Sequence, residues 1–208
     1  VAKRVFDVLV GGVLALLALP VIIVCATVVA VELRAQPFFV QRRIGRRGRP
    51  FHIIKLRTLR PGTAPYADKY ALGQVSTPWF AAALRRLHLD ELPQLFLVVA
   101  GTMSLVGPRP EMPDLHARLE SGFARRRTAL RPGCTGPWQL SPDRDGLIGE
   151  APRWDDWYAE HHSLGTDVWI LARTIAVLAG RGRPLELGDA PQRRSRTRSE
   201  ADGELALG

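Results

Sequence analysis

The sequence predicts a mainly helical α/β protein, in which an N-terminal re-entrant membrane helix-break-helix carries a small cytoplasmic domain at the membrane interface. Three observations support this. No charged residue occurs from Val8 to Val31, a run that as a helix would extend roughly 36 Å against a bilayer core of about 30 Å. Lys3 and Arg4 precede the run, and Arg34, Arg42, Arg43, Arg46 and Arg47 follow it, so the positive-inside tendency assigns both ends to the cytoplasm. Beyond it, short apolar runs are punctuated by Gly and Pro turn signals. The predicted units are residues 1–35 as the membrane segment, 36–180 as the cytoplasmic domain and 181–208 as a disordered tail.

The apolar run is too long for a signal-peptide core and ends without a small-residue cleavage site. Pro20 lies near its middle, where a missing N–H and a crowded preceding turn predict the break that returns the chain to its starting face. A single-pass anchor is the alternative, but it would place one basic cluster on the wrong side. The stretch 37–60 alternates apolar residues about a G-R-R-G turn and predicts a hairpin at the membrane surface. Residues 61–78 predict a loop. Thr77 and Pro78 suit the cap and first turn of a helix reaching Leu87. A second helix is expected from Asp90 to Ala100, stopped by Gly101. Further helices are expected over 114–129 and, as one or two segments, over 154–179, whose tryptophans Trp154, Trp157 and Trp169 suit an interface or, more commonly, a core.

The formal charge is +9. Nine basic residues and no acidic one lie between Leu33 and Ala67, and the remainder of the chain is neutral. One basic block in a neutral protein implies one anionic partner: a phosphate-bearing substrate, an anionic lipid or a nucleic acid. Nucleic acid is the weakest of these, because the block lacks a recognition helix and adjoins a membrane segment. Cys25 and Cys134 form no C-x-x-C pair and the five histidines lack zinc spacing, which argues against disulfide and zinc scaffolds. The signatures of serine hydrolases, P-loop NTPases and Rossmann domains are absent.

The densest chemical signal runs from Leu84 to Glu111. Asp90 and Glu91 stand where a helix is expected to start, so unpaired backbone donors and the helix dipole would keep a carboxylate ionised there. An ionised aspartate can attack phosphorus or bind a divalent cation. On spacing alone, the commoner use of such a pair is an N-cap beside a solvated acid. Gly107-Pro108-Arg109-Pro110 fixes an extended backbone and aims one guanidinium, which suits phosphate recognition or a simple rigid turn. Arg85 could lie near the same site or on a solvated helix face. The basic hairpin suits lipid headgroups, each residue contributing about 1 kcal/mol at an anionic surface.

Taken together, KRVFD, QRRIGRRGRPFHIIKLRTL, LDELPQL, MSLVGPRPE, RPGCTGPWQ and DDWYAEHHSLGTDVWILART resemble, in order, the bacterial sugar transferases of the monotopic phosphoglycosyl transferase type. The resemblance covers roughly residues 2–180, and LDELPQL followed by SLVGPRP is its most specific part. It implies transfer of a phosphosugar from a nucleotide diphosphate sugar, a UDP-sugar by expectation, to polyprenol phosphate at the cytoplasmic face of the inner membrane. It further implies that Asp90 is the nucleophile, that Glu91 stands beside it at a catalytic Mg²⁺, and that Arg85 and Arg109 bind phosphate. The lysine of the family's Lys-Phe-Arg stretch falls on Lys55, with Leu56 in place of Phe. Asp155, Tyr158 and Ser163 match the late motif. Leu19 stands where the family often has Ser before the membrane proline, and His161-His162 replaces an Asn-Trp pair. A homodimer is compatible with the sequence. A non-catalytic, anionic-lipid-binding scaffold of a polysaccharide assembly complex is the second reading.

Overall fold

The computed structural model describes residues 1–62 and 78–189. Helix α1 runs from Ala2 to Leu33 through Pro20 as one helix, so the interruption expected at Pro20 is not a break in the helical backbone. A prolyl ring deletes one hydrogen bond of the ladder, and the bonds on either side keep both halves helical. The buried positions of α1, namely Asp7, Gly11, Ala15, Ala18, Ile22, Cys25 and Val29, recur every three or four residues and form one seam. Small residues allow close docking along it: a Cβ on Gly11 would stand 2.9 Å from Val98 Cγ1.

Another face of α1 is apolar and, among the described residues, without protein cover. Leu9, Val13, Leu16, Leu17, Ile23, Val24 and Val31 are each more than half exposed. The helix is long and apolar enough to cross a membrane, and an uncovered face of this kind marks a lipid or partner contact.

Strands β1 (Phe38–Ile44) and β2 (Pro50–Leu56) form the expected antiparallel hairpin, with Phe38 opposite Leu56 and Ile44 opposite Pro50. Arg47 and Gly48 turn the chain at positive φ. Helix α2 (Trp79–Arg86) follows Pro78; Thr77 and most of the expected loop lie outside the described residues. The helix expected from Asp90 begins instead as a 3₁₀ turn over Leu89–Glu91, after His88 takes a left-handed φ of 56°. Only Gln94–Ala100 is α-helical (α3), and Gly101 ends it at φ 88° as expected.

Strands β3 (Ser104–Val106) and β4 (Gly133–Thr135) pair in parallel. Between them, the helix expected over 114–129 is two, α4 (Pro113–Ala117) and α5 (Ser121–Ala129). The second starts afresh because the Glu120 carboxylate accepts from the N–H groups of Gly122 and Phe123, both at 2.6 Å. Then come α6 (Pro137–Leu140), α7 (Arg153–His161) and α8 (Leu164–Leu178). Ser163 separates the last two and caps α8 by accepting from Thr166 N at 3.1 Å.

The main core gathers around β3 and includes Met103, Leu105, Val106, Trp138, Leu140, Tyr158 and Ile170, with Phe6 and Val10 of α1 packed against it. Trp154 belongs to this core, and the partly buried Trp157 and Trp169 pack on it. A second cluster joins Ala18, Ile22, Cys25 and Val29 of α1 to Leu56 and Leu84. The packed chain continues beyond Gly180, where the tail was expected to begin: Leu185 is buried and its N–H donates to Leu140 O at 2.9 Å. Residues 190–208 lie outside the described residues.

Asp7 ties α1 to this core. Its carboxylate accepts from Ser104 Oγ at 2.8 Å and from Leu105 N at 3.1 Å, with all three groups buried. Asp7→Ala strands both donors, so it should cost about 2 kcal/mol or more, whereas Asp7→Asn keeps an acceptor and should cost less. Thermal unfolding of the detergent-solubilised protein checks both.

Candidate active site

The GPRP loop that follows β3 is held by backbone against backbone. Gly107 N donates to Thr135 O and Gly133 N to Pro108 O, each at 2.9 Å. A Cβ on Gly107 would stand 2.3 Å from Arg131 O, and one on Gly136 would stand 2.3 Å from Gly107 O. Glycine is required at both by this close approach, which explains the otherwise unassigned R-P-G-C-T-G stretch as the buttress of the loop. From the other side, Ile44 N donates to Glu111 O at 2.9 Å and ties the loop to β1.

Side chains complete the clamp. Arg127, buried, pairs with Asp155 at 2.9 Å and donates to Arg109 O at 2.7 Å. The single Tyr158 hydroxyl proton is shared between two acceptors, Asp167 Oδ1 at 2.6 Å and Val106 O at 3.1 Å. Lys3 of α1 reaches the same Asp167 at 2.5 Å and the same Val106 O at 3.2 Å. Two late-motif residues, Asp155 and Tyr158, therefore act on the backbone that carries Arg109. The third, Ser163, caps α8. His161 stacks on Trp157 with centroids 5.0 Å apart, while His162 Nδ1 bonds Ala159 O.

With the loop fixed, three predicted site residues converge. The Glu91 carboxylate bonds Lys55 Nζ of β2 and lies 3.6 Å from the Arg109 guanidinium. Arg109 also sits 6.0 Å from the Trp138 ring centroid. These three line a cleft of about 240 Å³, open mouth included, together with Arg43, Gln94, Pro110 and Cys134. Arg43 donates to Pro110 O at 3.3 Å and lies 3.6 Å from Glu111. Sequence reasoning missed Arg43 and Gln94 as lining residues; R-R within the hairpin and Gln within LDELPQL were the available signals.

Asp90 adjoins this group and is only 8 % exposed. Arg85 is exposed in the last turn of α2 and does not line the cleft, although its charge reaches Asp90. Pro20 belongs to α1, outside the cleft.

Electrostatics separates the two acids. Burial would raise Glu91, but Lys55 and Arg109 outweigh it and hold the carboxyl down to about 2. Burial instead pushes Asp90 above its ordinary value, against the lowering pull of Lys55. Desolvation thus opposes the ionisation expected of this aspartate, and a 3₁₀ turn stands where a helix N-terminus was expected. Burial also lowers Lys55, while Glu91 opposes that fall. Cys134 is pushed up to about 12 by burial and by neighbouring acids, which makes it an unreactive thiol. Among the described residues, no cluster of three or more His, Cys, Asp or Glu is placed to hold a metal.

Residues 1–181 match the family model described as "Bacterial sugar transferase". The chain is similar to the "Exopolysaccharide production protein ExoY" of Rhizobium meliloti (strain 1021), at 34 % identity over 87 % of each chain. It is also similar to the "UDP-glucose:undecaprenyl-phosphate glucose-1-phosphate transferase" of Caulobacter vibrioides, at 35 % identity over 85 % of this chain and 69 % of that protein. A third relative, the "UDP-N-acetylgalactosamine-undecaprenyl-phosphate N-acetylgalactosaminephosphotransferase" of Aeromonas hydrophila, is 31 % identical over 86 % of this chain, which spans 44 % of its length. The match over nearly all described residues and the convergence of the LDELPQL and GPRP motifs on one cationic cleft lead to the same conclusion: the chain is an enzyme of the bacterial sugar transferase family.

Proposed function

We propose that the protein transfers a phosphosugar from a nucleotide diphosphate sugar, a UDP-sugar, to polyprenol phosphate through an aspartyl-phosphosugar intermediate, and so starts assembly of a polysaccharide or glycoconjugate. The observation that carries this is the convergence of Lys55 and Arg109 on Glu91 beside the buried Asp90. Relatives named for UDP-sugar and undecaprenyl-phosphate chemistry support the substrate classes.

In the first step an Asp90 carboxylate oxygen attacks the sugar-linked phosphorus. An Asp–O–P bond forms, the pyrophosphate P–O bond breaks, and the nucleoside monophosphate leaves with the electron pair. In the second, an oxygen of polyprenol phosphate attacks the same phosphorus and Asp90 departs as a free carboxylate. Lys55 and Arg109 are placed to bind phosphoryl oxygens, and Arg85 adds positive charge on the Asp90 side. Glu91 occupies the two cations before substrate arrives, which offsets the cost of burying them.

The donor set fits Mg²⁺ as a shared site: two adjacent carboxylates offer hard oxygen ligands, and this ion is commonly completed by substrate phosphates and water rather than by an all-protein cage. Asp90 and Glu91 would hold it, and it would neutralise charge on the diphosphate. Basic flanks on both sides of α1 and its apolar face, uncovered among the described residues, support a re-entrant placement at the cytoplasmic face of the inner membrane, with Pro20 as the place of the bend that this placement requires. Cysteine labels near Lys3 and Arg47 should then react from the same side of sealed vesicles; labelling from opposite sides would establish a spanning helix.

Asp90→Asn should abolish nucleotide release, because the amide keeps the shape and loses the nucleophile. Wild-type protein incubated with a UDP-sugar that turns over, but without polyprenol phosphate, should carry a phosphosugar adduct on the Asp90 peptide by mass spectrometry. Normal turnover by Asp90→Asn would defeat the covalent route.

The acid limb of nucleotide release should follow Asp90, since only the carboxylate attacks. Burial raises that group, so the limb should lie above the ordinary aspartate value of about 3.9. Lys55→Met removes a lowering charge and should move the limb to still higher pH, read from the pH profile of kcat.

A further inference from the structure

Gln94 opens α3 one helical turn after Glu91 and is 2 % exposed. It lines the cleft with Arg43, Lys55, Glu91 and Arg109, and its Nε2 is buried without a hydrogen-bond partner. Of the buried polar atoms without a partner among the described residues, Gln94 Nε2 is the one whose residue lines the cleft, where a ligand can bring the acceptor. The acid that lines the cleft, Glu91, is already shared by Lys55 and Arg109.

We propose that Gln94 is a substrate-binding residue, whose side-chain N–H donates to a non-bridging oxygen of the diphosphate held by Lys55 and Arg109. The inference rests on the nucleotide-sugar reading above and extends it. A phosphoryl oxygen is the acceptor because three cations line the cleft around the amide. A neutral amide suits the innermost position, since it can stay buried in the free enzyme at lower cost than a further unpaired charge. It also adds direction, because its two N–H groups lie in the amide plane.

Two variants of the full chain test this. Gln94→Met keeps length and apolar stem and removes both donor and acceptor; Gln94→Glu keeps the shape and replaces the donor by a second carboxylate beside Glu91. Inorganic pyrophosphate binding by titration calorimetry, UMP release from a panel of UDP-sugars and thermal unfolding are measured for each. Gln94→Met should unfold at the wild-type temperature or above, while pyrophosphate affinity and kcat/KM fall about tenfold to a hundredfold. Gln94→Glu should lose more of both. A lower unfolding temperature for Gln94→Met with unchanged pyrophosphate affinity would make Gln94 structural and overturn the proposal. Equal binding and turnover by wild type and Gln94→Met would overturn it and leave the nucleotide-sugar reading standing. Wild-type protein that binds pyrophosphate but releases no UMP from any UDP-sugar would overturn that reading, and the binding comparison would still decide Gln94. A wild type that does neither would overturn both.

Discussion

The site depends on one carboxylate shared by two cations. Lys55, Glu91 and Arg109 come from a hairpin strand, a 3₁₀ turn and a loop after an internal strand, and none of them is comfortable alone in a partly closed cleft. Burying an isolated charge is costly, and pairing recovers much of that cost. Glu91 supplies the pairing, and the two cations in turn hold it at about 2 against the effect of burial. The same arrangement leaves Asp90 raised, so neighbouring acids differ in charge tendency through their surroundings rather than their chemistry. Two acids with separated tendencies suit a division of work, one as a fixed counter-charge and the other as a reactive group.

Holding those three groups together requires a backbone that does not move. The contacts among Gly107, Gly133 and Pro108 supply it, and Arg127 adds a bond to Arg109 O. One residue before the loop, Val106 O receives both Tyr158 and Lys3. The first turn of α1 therefore shares with α7 an acceptor on the strand that leads into the GPRP loop. The apolar helix is built into the domain from its first turn, with Asp7 bonded to β3 and Phe6 packed against the main core. An anchor attached by a loose linker would show none of these bonds.

Among the described residues, the opposite face of α1 has no such partners. Its large apolar side chains are exposed while its seam is packed, a division that serves a helix touching protein on one side and hydrocarbon on the other. Small residues on the seam and large ones outside are the packing expression of that division.

Sequence alone determined what depends on local pattern. The charge-free run, the hairpin about G-R-R-G, the stop at Gly101 and the rigid Pro-Arg-Pro turn follow from side chains that act within a few residues of themselves. The candidate set Asp90, Glu91, Arg85, Arg109 and Lys55 came from the resemblance of the ordered motifs to a known family. Tertiary structure decided what depends on distance. It alone put Lys55 and Arg109 on one carboxylate, left Arg85 outside the cleft lining and brought Arg43 and Gln94 into it. It kept Pro20 within a continuous helix and turned Asp155 and Tyr158 into supports of the loop. The reason is physical: spacing fixes which face a residue occupies, whereas desolvation, close backbone approach and charge pairing arise only when segments many residues apart come into contact.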